Sequence, residues 1–273
     1  MKPRENKSVE WRRVTRKTPC PICHKPDWCT VAGVINRVCC MRIESPHPSK
    51  NAMGGWLHPL DTDVPLPELP PRQKPVTINA PAIWHGWRKQ TTPQQMKDMA
   101  ENVGVDPIAL DQIGACYAPS HQAWAFPMTN GHGRIVGIRL RNLQGDKWAV
   151  TGSHQGLFVP RIVLPGPVYL CEGPTDTAAG LSIGLMTIGR PACRGCEMDV
   201  VLTLNRLKSK QAVIVADNDD PGQAGARKLK ESLAIPSIIW TPPCKDLREF
   251  VNTGGNAELI HTQTKDLIGI ANP

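Results

Sequence analysis

The sequence predicts an α/β protein in three parts: a metal-binding ribbon at the N-terminus, a small basic α+β block, and a C-terminal domain with a mainly parallel sheet flanked by helices. Three observations carry this. The cysteines Cys20, Cys23, Cys29, Cys39 and Cys40 crowd into one short basic segment; six prolines fall within residues 61–82; and the apolar runs VYLC, AVIVA and SIIW recur after Gly166 with helical segments between them. Continuous apolar runs of strand length are strands covered on both faces, as in a parallel sheet layered by helices. A chain of 273 residues has room for a sizeable core.

The N-terminal segment reads CPICHKPDWCTVAGVINRVCCMR. A Cys-x2-Cys pair sets two thiolates on one tight turn, and later cysteines on a strand can close a tetrahedral Zn²⁺ site. Cys20, Cys23, Cys29 and Cys40 are the expected ligands. Alternation along a strand turns Cys39 away from Cys40, while His24, His47 and His58 stay open as substitutes. Residues 1–60 hold 11 Lys/Arg against 4 Asp/Glu, most of the net charge of +8. Such a face attracts polyanions by counterion release. Arg12, Arg13, Arg16, Lys17, Lys25, Arg37 and Arg42 are interleaved with Trp11, Trp28 and Trp56, a combination suited to single-stranded nucleic acid. Trp28 and Trp56 are expected in the ribbon's own small core.

The proline density of residues 61–82 suits neither a helix nor a central strand, so a semi-rigid linker is expected there. The expected modules are therefore residues 1–60, linker 61–82, basic subdomain 83–165 and an α/β domain 166–273. Thr92-Pro93 opens a helix that Gly104 stops, and a shorter helix follows from Asp106. Strands WAFPM, RIVGIRLRN and KWAVTG come next, with Asn130-Gly131 as a hairpin turn.

The run VYLC leads directly into Glu172-Gly173-Pro174-Thr175-Asp176, and AVIVA into Asp217-Asn218-Asp219-Asp220. Functional groups of open α/β sheets gather at the strands' C-terminal ends. Side chains two apart on a strand share a face, which would bring Asp217 and Asp219 together with Glu172. Convergent carboxylates call for a cation, and all-oxygen ligands favour Mg²⁺ or Mn²⁺. Helix capping accounts for Asp176 and Asp220. Asp246, after SIIW and TPPC, adds an acid at a third strand end, and Cys193-x2-Cys196 reads as ordinary thiols.

EGPTD followed by DNDDPG resembles the signature of the Toprim domain, and KDLREF is similar to its third primase-type motif. Upstream, GRIVGIRLR, DKWAVTGS and GLF resemble the basic core segment preceding Toprim in bacterial and phage replicative primases, and the ribbon resembles their zinc ribbon. The resemblance spans nearly the whole chain in family order. It implies a DNA primase making short RNA primers on single-stranded DNA from nucleoside triphosphates by two-metal transfer, for a phage, plasmid or similar mobile element. Glu172, Asp217 and Asp219 would hold Mg²⁺ or Mn²⁺ with Asp176 and Asp246 in support, and Arg141 and Lys147 would face nucleotide phosphates. His24 departs from the pattern, standing where such ribbons often carry glycine.

Two other functions share these motifs: a non-enzymatic zinc-and-Toprim recombination mediator, and a Toprim nuclease. A type I topoisomerase needs a nucleophilic tyrosine, and the tyrosines are Tyr117 and Tyr169, the latter inside an expected buried strand. No GxxxxGK[ST] occurs, so any replicative helicase would be a separate partner. The N-terminus lacks an apolar signal region and the apolar runs are far shorter than the roughly 20 residues of a bilayer span. A cytoplasmic protein without membrane contact is expected, with its ten cysteines as thiols and metal ligands.

Overall fold

The computed structural model describes residues 11–32, 36–49, 54–60 and 76–268. The chain divides into two compact units, residues 1–74 and 75–273. Among the described residues no helix is long and apolar enough to cross a membrane.

The first unit is an antiparallel ribbon of β1 (Arg12–Arg13), β2 (Thr30–Ala32), β3 (Arg37–Cys40) and β4 (Trp56–Pro59), in that spatial order. Its buried cluster is Val14, Val31 and Val38 with Cys20, Cys29 and Cys40. Three valines are too little apolar surface to hold a fold of this size, so the cysteine cluster has to contribute.

The second unit opens with α1 (Ala80–Gln90), capped by Asn79, whose Oδ1 accepts the amide of Ala82 at 3.1 Å. The expected linker end at residue 82 is thereby corrected: Pro81 sits in the first turn of a helix, where its missing N–H costs nothing. The rest of the proline-rich stretch, residues 61–75, lies outside the described residues. Helix α2 (Pro93–Val103) carries a Thr92–Gln95 capping box and ends at Gly104 in the left-handed conformation. Asp106 caps α3 (Pro107–Gln112).

An antiparallel sheet follows: β5 (Cys116–Ala118), β6 (Ala123–Thr129), β7 (Ile135–Arg141) and β8 (Lys147–Ala149), in that order. Alternation along β6 and β7 divides its faces. Ala123, Ala125, Ile138 and Leu140 pack against α1 through Ile83, Trp84 and Trp87. Trp124, Phe126 and Met128 turn the other way, onto Met99, Leu110 and Phe158.

The chain continues through β9 (Val168–Glu172), α4 (Gly173–Ser182), β10 (Thr187–Arg190), α5 (Glu197–Arg206), β11 (Ala212–Val215), α6 (Asp220–Ser232), β12 (Ser237–Trp240), α7 (Leu247–Asn252) and α8 (Ala257–Ile268). The sheet is fully parallel in the order β10-β9-β11-β12. One face packs on α5 and α6 through Val200, Leu204, Ala226 and Leu229; the other packs on Phe250 and Ile260 of α7 and α8.

The two sheets are joined within the second unit rather than merely tethered. Leu157 bridges to Thr129 at the end of β6 while the next residue, Phe158, bridges to Gly189 of β10. Phe158 also meets Phe126 edge-on at 6.3 Å. At the β6–β7 turn the amide of Gly131 donates to Asp199 Oδ1 of α5 at 2.8 Å. The basic sheet is therefore held in fixed register to the parallel one.

Candidate active site and metal site

The acidic residues collect at the C-terminal edge of the parallel sheet. Glu172 ends β9, and Gly173, at φ +76°, turns the chain at once into α4. Only glycine adopts that backbone cheaply, so it sets the carboxylate at the strand tip. Glu172 Oε1 is buried with no hydrogen-bond partner. Asp176, in the first turn of α4, is 7% exposed and accepts the Arg248 amide at 3.0 Å.

Strand β11 stops at Val215, so strand alternation is not what positions Asp217 and Asp219. They lie in the loop beyond it, where the Asp219 amide donates to the Asp217 carbonyl at 2.8 Å. Asp219, not Asp220, caps α6: its Oδ1 accepts the Gly222 amide at 2.7 Å. Asp246 caps α7 in the same way, accepting the Glu249 amide at 2.8 Å. Capping thus uses one oxygen of each of these two acids, a role the sequence pattern assigned elsewhere.

Burial pushes Asp217 up to about 7, and the charges of Glu172, Asp246 and Asp219 add to it. Asp176 is likewise raised to about 7 by burial, then by Asp246 and Asp217. Burial also raises Glu172, with Asp219 and Asp176 reinforcing and Arg190 opposing. These are the signs of carboxylates gathered without their counter-charge. The orphaned Glu172 oxygen and the acidic donor set fit a hard divalent cation. Among the described residues, only the four cysteines bring three or more metal-ligating atoms within 4.8 Å of one another. The carboxylates are spread more widely than that.

A basic wall faces them. Arg139 and Arg141 project from the same face of β7, and Lys147 pairs with Arg141 across β8. Loss of surrounding water lowers all three; Arg248 and Arg141 respectively push Arg141 and Lys147 further down, while Asp176 pulls both back up. Arg190 ends β10 directly opposite Glu172 and is 1% exposed. The Nε atoms of Arg141, Arg190 and Arg248 are buried without a hydrogen-bond partner. Arg190 still donates through one terminal nitrogen to the Cys193 carbonyl at 3.0 Å, so what is unmet is one donor on each guanidinium and one oxygen of Glu172, an arrangement that can take up an anionic ligand together with a cation.

The sequence pattern named Arg141 and Lys147 but not Arg139, Arg190 and Arg248, whose charges act on the same group of residues. Arg139 was recoverable, since it stands two residues before Arg141 on the same strand face. Arg190 was not, because its pairing with Glu172 depends on the strand order. The Tyr169 hydroxyl is sealed in β9, at 1% exposure for the residue, and offers no nucleophile.

In the ribbon, Cys20, Cys23, Cys29 and Cys40 form the cluster, with Sγ–Sγ separations of 3.6 Å for Cys23–Cys29 and 3.9 Å for Cys29–Cys40. Tetrahedral Zn–S bonds imply separations of about 3.8 Å. The amides of Cys23, Met41 and Ile43 donate to Cys20, Cys29 and Cys40 sulfurs at 3.5, 3.4 and 3.3 Å, which stabilises thiolates. Burial alone would raise the Cys23 thiol, but the Lys25 amide and the sulfurs of Cys20, Cys29 and Cys40 outweigh it and bring it to about 7. Cys39 stays outside, its thiol on the Gly54 carbonyl at 3.6 Å. His24 has φ +56°, a left-handed backbone that glycine adopts at less cost.

Trp28 departs from expectation. It is not in the ribbon core but 63% exposed, with φ +65°. Trp56 is half-buried in β4.

No family model matches the chain, and no curated protein matches it. Among solved structures it is similar to the DnaG catalytic core, at 13% identity over 69% of this chain and 80% of that one, with a TM-score of 0.54. It is similar also to the DnaG primase catalytic domain bound to ssDNA, at 13% identity over 69% and 78% with a TM-score of 0.54. For the E. coli primase catalytic core the values are 14%, 68% and 80%, again with a TM-score of 0.54. The chain shares the fold of these primase cores.

Proposed function

We propose that the protein is a DNA primase that makes short RNA primers on single-stranded DNA. The observation that carries this is the meeting of two incomplete half-sites on a primase-type fold: Glu172 Oε1 without a partner, and the partnerless Nε atoms of Arg190 on the neighbouring strand, Arg248 on α7 and Arg141 on the basic sheet. A nucleoside triphosphate with its metal supplies what both halves lack.

Glu172, Asp217 and Asp219 would hold Mg²⁺ or Mn²⁺, with Asp176 and Asp246 behind them. Bound there, the metal supplies polarisation of the α-phosphate, activation of the primer 3′-hydroxyl and neutralisation of the departing pyrophosphate. The chain's own contribution is orientation. Arg139, Arg141 and Lys147 share one face of β7 and β8, a charged surface along which a triphosphate can lie. Arg190 tempers the charge on Glu172 from the neighbouring strand. The four-cysteine ribbon would hold Zn²⁺ and read the template.

Incubating the protein with single-stranded DNA, labelled nucleotides and Mg²⁺ or Mn²⁺ tests this. Short labelled oligomers that require all of these support a primase. Cleaved DNA would mean a Toprim nuclease, and a mobility shift without chemistry a recombination mediator.

A further inference from the structure

The ribbon presents one large aromatic surface that neither its core nor its cysteine cluster uses. Trp28 is 63% exposed, more than any other tryptophan among the described residues. Its backbone explains why. The Cys29 amide donates to the Asp27 carbonyl at 2.8 Å, closing a three-residue turn centred on Trp28 at φ +65°. Such turns are strained for a bulky residue. Cys29 is fixed in the cluster, so the turn that delivers its sulfur inward throws the indole outward.

The indole is also braced. The Arg42 guanidinium carbon lies 5.4 Å from the centroid of the Trp28 ring, within cation–π range. Arg42 is itself held on several sides. It donates to the Asp27 carbonyl at 3.0 Å and Oδ1 at 2.5 Å, and to the sulfurs of Cys23 and Cys29, each at 3.9 Å. Since Asp27 already compensates the charge of Arg42, this pair is poorly suited to phosphate and well suited to a neutral π-face. Phosphate-binding charge lies elsewhere on the same ribbon, on the exposed Arg13, Arg16, Lys17, Lys25 and Arg37.

We propose that Trp28, backed by Arg42, is the platform on which the ribbon stacks an unpaired base of single-stranded nucleic acid. This rests on the reading of the ribbon as a template-binding module and assigns the stacking contact within it. Each base offers a π-face, so the contact grips the strand without choosing its sequence. Because Arg42 is anchored on the cluster's sulfurs, an intact metal site is a condition for the platform.

The test uses the full chain with its zinc, titrated with a labelled oligothymidylate. Trp28→Ala should weaken binding about 5- to 150-fold, the range for loss of one stacked base. Zinc content should not change, and neither should the slope of log affinity against log salt, because no phosphate contact is removed. Trp28→Phe should keep most of the affinity, whereas Trp28→Leu, apolar but without a π-face, should behave like Trp28→Ala. Oligothymidylate should quench part of the wild-type tryptophan emission, and that part should be absent from Trp28→Phe. Unchanged affinity in Trp28→Leu with zinc retained overturns the proposal, as does equal loss in the Phe and Leu variants. Wild-type protein that binds the strand but makes no primers would overturn the primase function and leave the platform standing.

Discussion

Replacing Asp217 with asparagine should make the protein more stable at alkaline pH while abolishing primer synthesis. In the folded chain Asp217 is held up to about 7 by burial and by Glu172, Asp246 and Asp219, against 3.8 for the free group. The folded state therefore keeps this proton where the unfolded chain has released it. The resulting destabilisation is absent below about pH 4, grows as pH rises, and is complete above about 7. Some three pKa units correspond to an upper bound of about 4 kcal/mol. Asp217 is only part-buried, so solvent screening reduces this to about 1–2 kcal/mol. For a unit of this size that is about 2–8 °C in melting temperature. Asparagine keeps the shape and removes the charge. Melting of wild type and Asp217→Asn should be compared from pH 4.5 to 8.5 in divalent-free buffer without chelator, so that the ribbon keeps its metal. The variant should lead at pH 8, with the gap closing towards pH 4.5. Added Mn²⁺ should raise the wild-type transition more than that of the variant, since only the wild type keeps the full ligand set. A variant that melts below wild type at pH 8, or a gap that widens on acidification, would refute the crowded-carboxylate account. Wild-type primer yield from the variant would refute the metal assignment.

Arg141→Ala and Lys147→Ala should each raise the nucleotide KM or lower kcat/KM by about 10- to 150-fold, the worth of a charge-assisted hydrogen bond, with zinc content unaltered. Arg139→Ala should fall in the same range, because it shares their face of the sheet; unchanged steady-state kinetics in all three would remove the triphosphate from this wall. A chain starting at residue 75 should fold, because α1 keeps its Asn79 cap and the second unit has its own core. It should bind no zinc, show a shallower salt dependence for DNA, and start primers without site preference, all measurable by metal analysis, binding titration and start-site mapping. Cys29→Ala in the full chain should release the metal and melt the ribbon, while the transition of the second unit stays within about 2 °C of wild type by calorimetry.

Much of this arrangement is legible in the sequence because local chemistry determines it. Thr92, Gln95 and Gly104 bracket α2 by capping alone, and the runs before Glu172 and Asp217 announce buried strands. What escapes is of one kind: residues committed to the site or the metal lose the pattern that would announce their element. Strand β10, TIGR, carries no apolar run. Gly189 must lack a Cβ because the Gly173 carbonyl lies 2.6 Å from where it would stand, and Arg190 is charged because it ends the strand opposite Glu172. Helix α1 has an apolar stripe in Ile83, Trp84 and Trp87, yet Pro81 beside the proline run reads as linker until Asn79 is seen to cap it. Asp217 and Asp219 do converge near Glu172, but through a loop and a helix cap rather than through strand alternation. Trp28 is the sharpest instance. Hydrophobicity assigns an indole to the core, whereas the turn needed to bring Cys29 into the cluster turns it out to solvent. Local rules fail where a second demand acts on the same residues, and in this chain those residues, Gly189, Arg190, Asp219 and Trp28, border the acidic edge of the parallel sheet or the cysteine cluster of the ribbon.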